Sequence, residues 1–153
     1  MEKYAVIKEN DFNKARKEIQ KANKENKEII FSSDDDELNR KILESEKINV
    51  LLLSQEKRKD FQKQRDSGFN QVLAKLAKKN DVVIGINLDE IIESSLKEKS
   101  RILARIKQNI KLCNKARLKM KFIAQKQENQ RNSYDLKSLG LILGMPTWMI
   151  KDL

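Results

Sequence analysis

Apolar residues in this chain follow two alternating rhythms. One is the short, nearly continuous apolar run: Lys3-Tyr4-Ala5-Val6-Ile7, Glu28-Ile29-Ile30-Phe31-Ser32-Ser33, Ile48-Asn49-Val50-Leu51-Leu52-Leu53-Ser54, Val82-Val83-Ile84-Gly85-Ile86-Asn87-Leu88 and Leu118-Lys119-Met120-Lys121-Phe122-Ile123-Ala124. Runs of this kind, rich in β-branched residues, predict strands of a parallel sheet. Between them the spacing lengthens to that of a helix: Phe12, Ala15, Ile19 and Ala22, then Leu38, Ile42 and Leu43, then Val72, Leu73, Leu76 and Ala77.

Polar residues mark where the helices start. Asn10 or Asp11, Ser33 or Asp34, Asp66 or Ser67, Ser94 or Ser95, and Ser133 each stand where a side-chain oxygen can accept from the first free amides of a helix. Gly144 fits a helix end, and Pro146 the first turn of a last helix that Trp148, Ile150 and Leu153 dock. Five strands alternating with helices predict an α/β fold with right-handed crossovers, in one domain spanning residues 1–153. Five strands cannot close an eight-stranded barrel, so the sheet is expected to be open or a partial (β/α) barrel. The ligand surface is expected beyond the carboxyl ends of the strands, at Ser54 to Gly68, Asn87 to Glu90 and Gln125 to Asn132.

The longest periodic segment changes the picture. From Ser94 or Ser95 to about Leu112–Lys115, the residues Ile102, Leu103, Ile106, Ile110 and Cys113 fall on one arc. Arg101, Arg105, Lys107, Lys111 and Lys115 fall on the opposite, broader arc, which is expected to face water. Between Lys97 and Lys126 eleven basic residues stand against one acid, Glu98, so this stretch alone carries the chain's net charge of +10. A cationic surface concentrated in this way is the footprint of a polyanion. Only 5% of residues are aromatic, and none pair within the basic segment, which argues against recognition of single strands by stacking and for backbone contacts to folded RNA. Arg101, Arg105, Lys107 and Lys111 are the first candidates for RNA contacts, followed by Arg65, Lys115 and Arg117. Ser67-Gly68 beside Arg65 reads equally as a helix cap or as the seat of one phosphate.

Catalytic chemistry is thinly provided for. There is no histidine, hence no usual general base and no zinc set. The acidic Asp34-Asp35-Asp36-Glu37 reads as a favourable first helical turn rather than a metal site, and Asp89-Glu90 is the other carboxylate pair from which a metal-dependent phosphoesterase or nuclease could be built. Cys113, the one cysteine, belongs to the apolar arc and reads as core. No catalytic residue, metal or cofactor is expected. With no disulfide possible, no apolar run long enough to span a bilayer and no signal sequence, a cytoplasmic protein is expected. The basic helix turns its apolar stripe to the core, so it is no membrane anchor, and no helix-turn-helix or zinc pattern points to DNA.

Several segments resemble protein component 3 of archaeal ribonuclease P, the family of the thirty-kilodalton subunit. They are Phe31-Ser32-Ser33-Asp34-Asp35-Asp36-Glu37-Leu38-Asn39-Arg40-Lys41, Val50-Leu51-Leu52 with Arg58-Lys59-Asp60-Phe61, and Arg65-Asp66-Ser67-Gly68-Phe69-Asn70-Gln71-Val72-Leu73-Ala74-Lys75-Leu76-Ala77. Ile102-Leu103-Ala104-Arg105-Ile106-Lys107-Gln108-Asn109-Ile110, Leu112-Cys113, Asp135-Leu136 and Leu139-Gly140-Leu141-Ile142-Leu143-Gly144-Met145 follow in the same order. The resemblance implies a partial barrel related to TIM-like phosphoesterases. It also implies a role in the ribonucleoprotein endonuclease that removes 5′ leaders from precursor tRNA. In that enzyme the RNA does the chemistry, and this protein, paired with component 2 and alongside other subunits, supports the RNA.

Overall fold

The computed structural model describes residues 2–153. Strand β1 (Tyr4–Lys8) leads through α1 (Phe12–Lys24) to β2 (Glu28–Ser32), and α2 (Asp36–Ser45) leads to β3 (Val50–Leu53). A long loop then precedes α3 (Gln71–Lys79) and β4 (Val83–Asn87). The short α4 (Leu88–Glu93) and the long α5 (Leu96–Ala116) precede β5 (Met120–Ile123). A 3-10 turn at Gln127–Asn129, α6 (Ser133–Leu143) and α7 (Thr147–Ile150) complete the chain.

All five strands are parallel and lie side by side in chain order. Each strand therefore neighbours its successor, and right-handed crossovers place the helices on one face. This is the winding of a (β/α) barrel left open, as the periodicity predicts, and not a doubly wound sheet. Ile29 and Phe31, Leu51 and Leu53, and Ile84 and Ile86 point to the helices and meet Ala15, Ile19, Ile42, Ala77, Ile102 and Ile110 in the main core. Burying each large aliphatic or aromatic side chain of this kind contributes about 1.5–3 kcal/mol. Ile30, Val50 and Leu52 form a smaller cluster on the other face, with Val83 and Ile123 against it.

Gly85 leaves room for its neighbours on that second face. A Cβ there would lie 3.0 Å from Val50 Cγ1, 3.1 Å from Leu52 Cδ1 and 3.3 Å from Ile123 Cγ1. Side chains of β3 and β5 thus close over β4, in the space a side chain on β4 would need.

The helix ends follow local chemistry. Asp11, Asn87 and Ser95 cap their helices through side-chain oxygens. Elsewhere the cap moves to a neighbour of the expected residue. Asp35, not Ser33 or Asp34, accepts the Glu37 and Leu38 amides of α2. Asn70, not Asp66 or Ser67, caps α3, and Asn132, not Ser133, caps α6. Runs of adjacent short polar residues contain several competent caps, and which one has extended backbone just before helical backbone depends on how the strand delivers the chain. On the way back to the sheet, Asn26, Asp81 and Arg117 adopt left-handed φ of 55°, 55° and 58° ahead of β2, β4 and β5. The same turn thus serves three helix-to-strand connections. None of the helices among the described residues is long and apolar enough to cross a membrane.

Candidate nucleic-acid interface

The basic residues of α5 divide into two groups. Arg101, Lys107, Lys111 and Lys115 are exposed, as the helical projection predicts. Lys97 joins them: it precedes Lys115 by five full turns, so the two lie on one line along the helix. The row from Lys97 to Lys115 is about 27 Å long at 1.5 Å per residue. Glu98 Oε2 approaches Arg101 at 3.9 Å, whereas no ion pair among the described residues engages Lys107, Lys111 or Lys115. Arg105 departs from the expectation. It is 1% exposed and lies inside the protein, between α5 and the loop that follows β3.

Arg105 organises that loop. Its Nε donates to Asp60 Oδ1 at 3.0 Å, Nη1 to the Gln55 carbonyl at 2.8 Å and Nη2 to the Arg58 carbonyl at 2.9 Å. A planar guanidinium can meet all three acceptors in one orientation. Arg58 extends the network, donating to both oxygens of Asp36 at 3.0 and 2.8 Å and to the Ser54 carbonyl at 2.6 Å. Burial alone would raise the Asp60 pKa, but the Arg105 hydrogen bond, the Asp66 amide and two arginine charges outweigh it and hold the carboxyl below its ordinary value. Gly68 has φ +70°, and a Cβ there would run into the Arg58 guanidinium and lie 2.7 Å from Asp36 Oδ1. Only a glycine lets the chain turn over that ion pair.

The folded loop carries Arg65 to the basic helix. Gln108 Nε2, on the water-facing side of α5, donates to the Arg65 carbonyl at 3.0 Å, while the Arg65 side chain stays exposed and meets Asp60 at 3.2 Å. Ser67 is different: it is 1% exposed and its hydroxyl donates to Asn109 at 2.6 Å. The Ser67-Gly68 turn is therefore part of the loop's internal bonding, and the phosphate seat considered there is not available. Arg117 caps α5 with its guanidinium 5.6 Å above the Trp148 ring. Of the seven sequence candidates, Arg65, Arg101, Lys107, Lys111, Lys115 and Arg117 are at the surface and Arg105 is not.

The carboxylates at the strand ends are tied up structurally. Glu90 accepts from Ser54 Oγ at 2.5 Å and from the Gln55 amide at 2.8 Å, and burial raises its pKa above the ordinary value. Asp89 accepts from the Gln125 amide at 2.9 Å and from Asn129 Nδ2 at 2.8 Å. The first turn of α4 thus fastens the loop after β3 with one acid and the loop after β5 with the other. An open polar cleft of about 700 Å³ lies between these loops, lined by Lys8, Lys57, Glu90 and Lys126 among others. Among the described residues no three Asp, Glu or Cys side chains converge as a metal site would need. Cys113 is fully buried in the core, and burial pushes its thiol up to about 12.

The structure thus combines an open, singly wound parallel sheet with a row of exposed basic residues along one outer helix. Residues 6–151 match the family model described as RNase P subunit p30, and the chain belongs to that family. It is similar to ribonuclease P protein component 3 of Methanothermobacter thermautotrophicus, with 27% identity over 140 residues, covering 92% of this chain and 53% of that protein. The Methanococcus vannielii component 3 is 30% identical over 106 residues, covering 69% of this chain and 43% of that protein. The chain therefore spans about half the length of these relatives. In fold it matches a chain of the cryo-EM structure of archaeal ribonuclease P with mature tRNA, with TM-score 0.80, 24% identity, and coverage of 97% of this chain and 62% of that one.

Proposed function

We propose that the chain is a protein subunit of ribonuclease P, binding and stabilising the catalytic RNA of the endonuclease that removes 5′ leaders from precursor tRNA. The observation that carries this reading is the row Lys97, Arg101, Lys107, Lys111 and Lys115, joined by Arg65, on a member of the p30 family. Lysines free of ion pairs bind phosphates with release of condensed counterions, a contact that positions RNA without reading its sequence. Arg105 supports the interface from behind by fixing the loop that presents Arg65. Chemistry belongs to the RNA, and no catalytic, metal or cofactor role is assigned to this chain. Its partners are the ribonuclease P RNA, precursor tRNA, component 2 and other protein subunits, in the cytoplasm, where the buried Cys113 thiol stays reduced.

Hydrolysis by the chain itself is not favoured, because Asp89 and Glu90 are engaged in fastening loops. The test is cleavage of precursor tRNA by the cognate RNA at low magnesium, with and without this chain plus component 2. Activity that appears only with both proteins, the chain alone being inert, is the expected result. Cleavage by the chain alone, or no effect on the RNA enzyme, overturns the proposal.

A further inference from the structure

The C-terminal end of the basic helix opens into a groove whose chemistry differs from the rest of the interface. The groove holds about 340 Å³ and is lined by Lys78, Val82, Val83, Arg117, Lys119 and Trp148 among others. Trp148 is the only tryptophan in the chain. Its Nε1 donates to Asn114 Oδ1 at 3.1 Å, which fixes the plane of the ring, and Arg117 lies over it. Lys78 Nζ donates to the Arg117 carbonyl at 3.0 Å, so the turn that carries Arg117 is held from the α3 side as well. The acids nearby are Asp81 on the lining and Asp152, which meets Lys119 at 3.1 Å. The Asp152 carboxyl is held below its ordinary value by the Lys119 hydrogen bond, with the Lys151 and Lys121 charges adding to it. Cations therefore dominate this end of the molecule.

We infer that this groove receives one unpaired nucleotide of the bound RNA, its base against Trp148 and Arg117 and its phosphate between Lys78 and Lys119. An aromatic wall with an apolar floor suits the face of a base. Any base can stack there, because every base has a π face. Lysines at the rim suit the phosphate that such a base carries with it. Bases splayed out of folded RNA are the ones available for this contact, whereas paired bases are not. The groove continues the row of cations directly, since Arg117 follows the last turn of α5 by one residue. Sequence alone gives no hint of it: Trp148 is remote from the basic segment and is brought to it by the packing of α6 and α7. The inference rests on the proposed RNA-binding role and adds a base-stacking element that the scarcity of aromatic residues argued against.

The lone tryptophan makes the test direct. The full chain is titrated at low salt with a short single-stranded oligouridylate and, separately, with an RNA duplex of the same length, while Trp148 emission is recorded. Saturable quenching by the single strand and little by the duplex is the expected result. Lys119→Glu, which also gives up the exposed ion pair with Asp152, is expected to weaken the quenching about tenfold while lowering the melting temperature by no more than about 3 °C. Equal quenching by duplex and single strand, or no quenching, overturns the inference. If quenching is absent while the chain still shifts ribonuclease P RNA in a gel, the nucleotide groove fails and the subunit reading survives. If the gel shift is absent too, both fail.

Discussion

Arg105 and Asp60, 45 residues apart in sequence, are joined by a 3.0 Å hydrogen bond that fixes the middle of the basic helix to the loop after β3. The pair is asymmetric: Arg105 is enclosed, whereas the Asp60 side chain keeps a quarter of its surface. Replacing Arg105 with Ala removes the donor to the Gln55 and Arg58 carbonyls and leaves Asp60 with only the Asp66 amide and the exposed Arg65. A loss of about 3 kcal/mol is expected, which for a chain of this size lowers the melting temperature by roughly 10 °C. Thermal denaturation followed by circular dichroism checks this. A shift under 2 °C, on the same scale, would show that the loop does not depend on Arg105.

Reversing charge on the exposed row has the opposite profile. Lys107→Glu with Lys111→Glu is expected to leave stability within about 0.5 kcal/mol, because neither side chain holds a structural partner. RNA affinity is expected to fall, and the slope of log affinity against log salt to shrink by about one for each phosphate contact removed. Gel shifts across a salt series read both numbers. An unchanged slope would take these two lysines out of the interface.

Gly68 and Gly144 both sit at positive φ, of 70° and 94°, and separate two costs. At Gly144 nothing lies within 4 Å of a Cβ, so Gly144→Ala carries only the backbone cost of about 1 kcal/mol. Gly68→Ala adds the collision with the Arg58–Asp36 pair and is expected to cost about 2 kcal/mol or more. Urea denaturation of the two variants ranks them, and equal losses would mean that the ion pair moves aside freely.

Stability should vary with acidity in two opposed ways. Asp60 has a lowered pKa in the fold, so its contribution is complete above the ordinary value of 3.8 and is lost as pH falls through the folded value. Glu90 has a raised pKa, so its contribution is complete below the ordinary value of 4.5 and is lost as pH rises through the folded value. Glu90→Gln removes that second dependence. Relative to the parent chain, this variant is expected to gain stability as pH rises above the ordinary value of 4.5. Urea midpoints of both proteins at three pH values test the sign, and a gap that narrows with rising pH contradicts it.

The strands, helices and sheet class are legible in the sequence because they depend on periodicity, which is local. The exposed row on α5 is legible for the same reason. Arg105 is misplaced by such reasoning because charge argues for water, and its three acceptors belong to a loop whose path the sequence does not display. A signal was present: Ile102, Arg105, Ile106, Asn109 and Cys113 repeat at spacings of three and four, and all five are buried. Two polar members in such a stripe mark a place where the helix meets the polar groups of a loop rather than apolar side chains. The caps of α2, α3 and α6 miss by one to four residues, since neighbouring side chains there are chemically equivalent. The Trp148 groove was not legible, because it joins segments from three parts of the chain.

The bare backbone at Gly85 has a consequence beyond its strand. Val50, Leu52 and Ile123 occupy the space above it, so side chains from the strands on either side roof over β4. Gly85 itself is buried beneath them, although it contributes no side chain to that cluster. A methyl group at this one position would have to push three side chains aside by a few tenths of an ångström, and the cost would fall on the small cluster of the open face rather than on the main core.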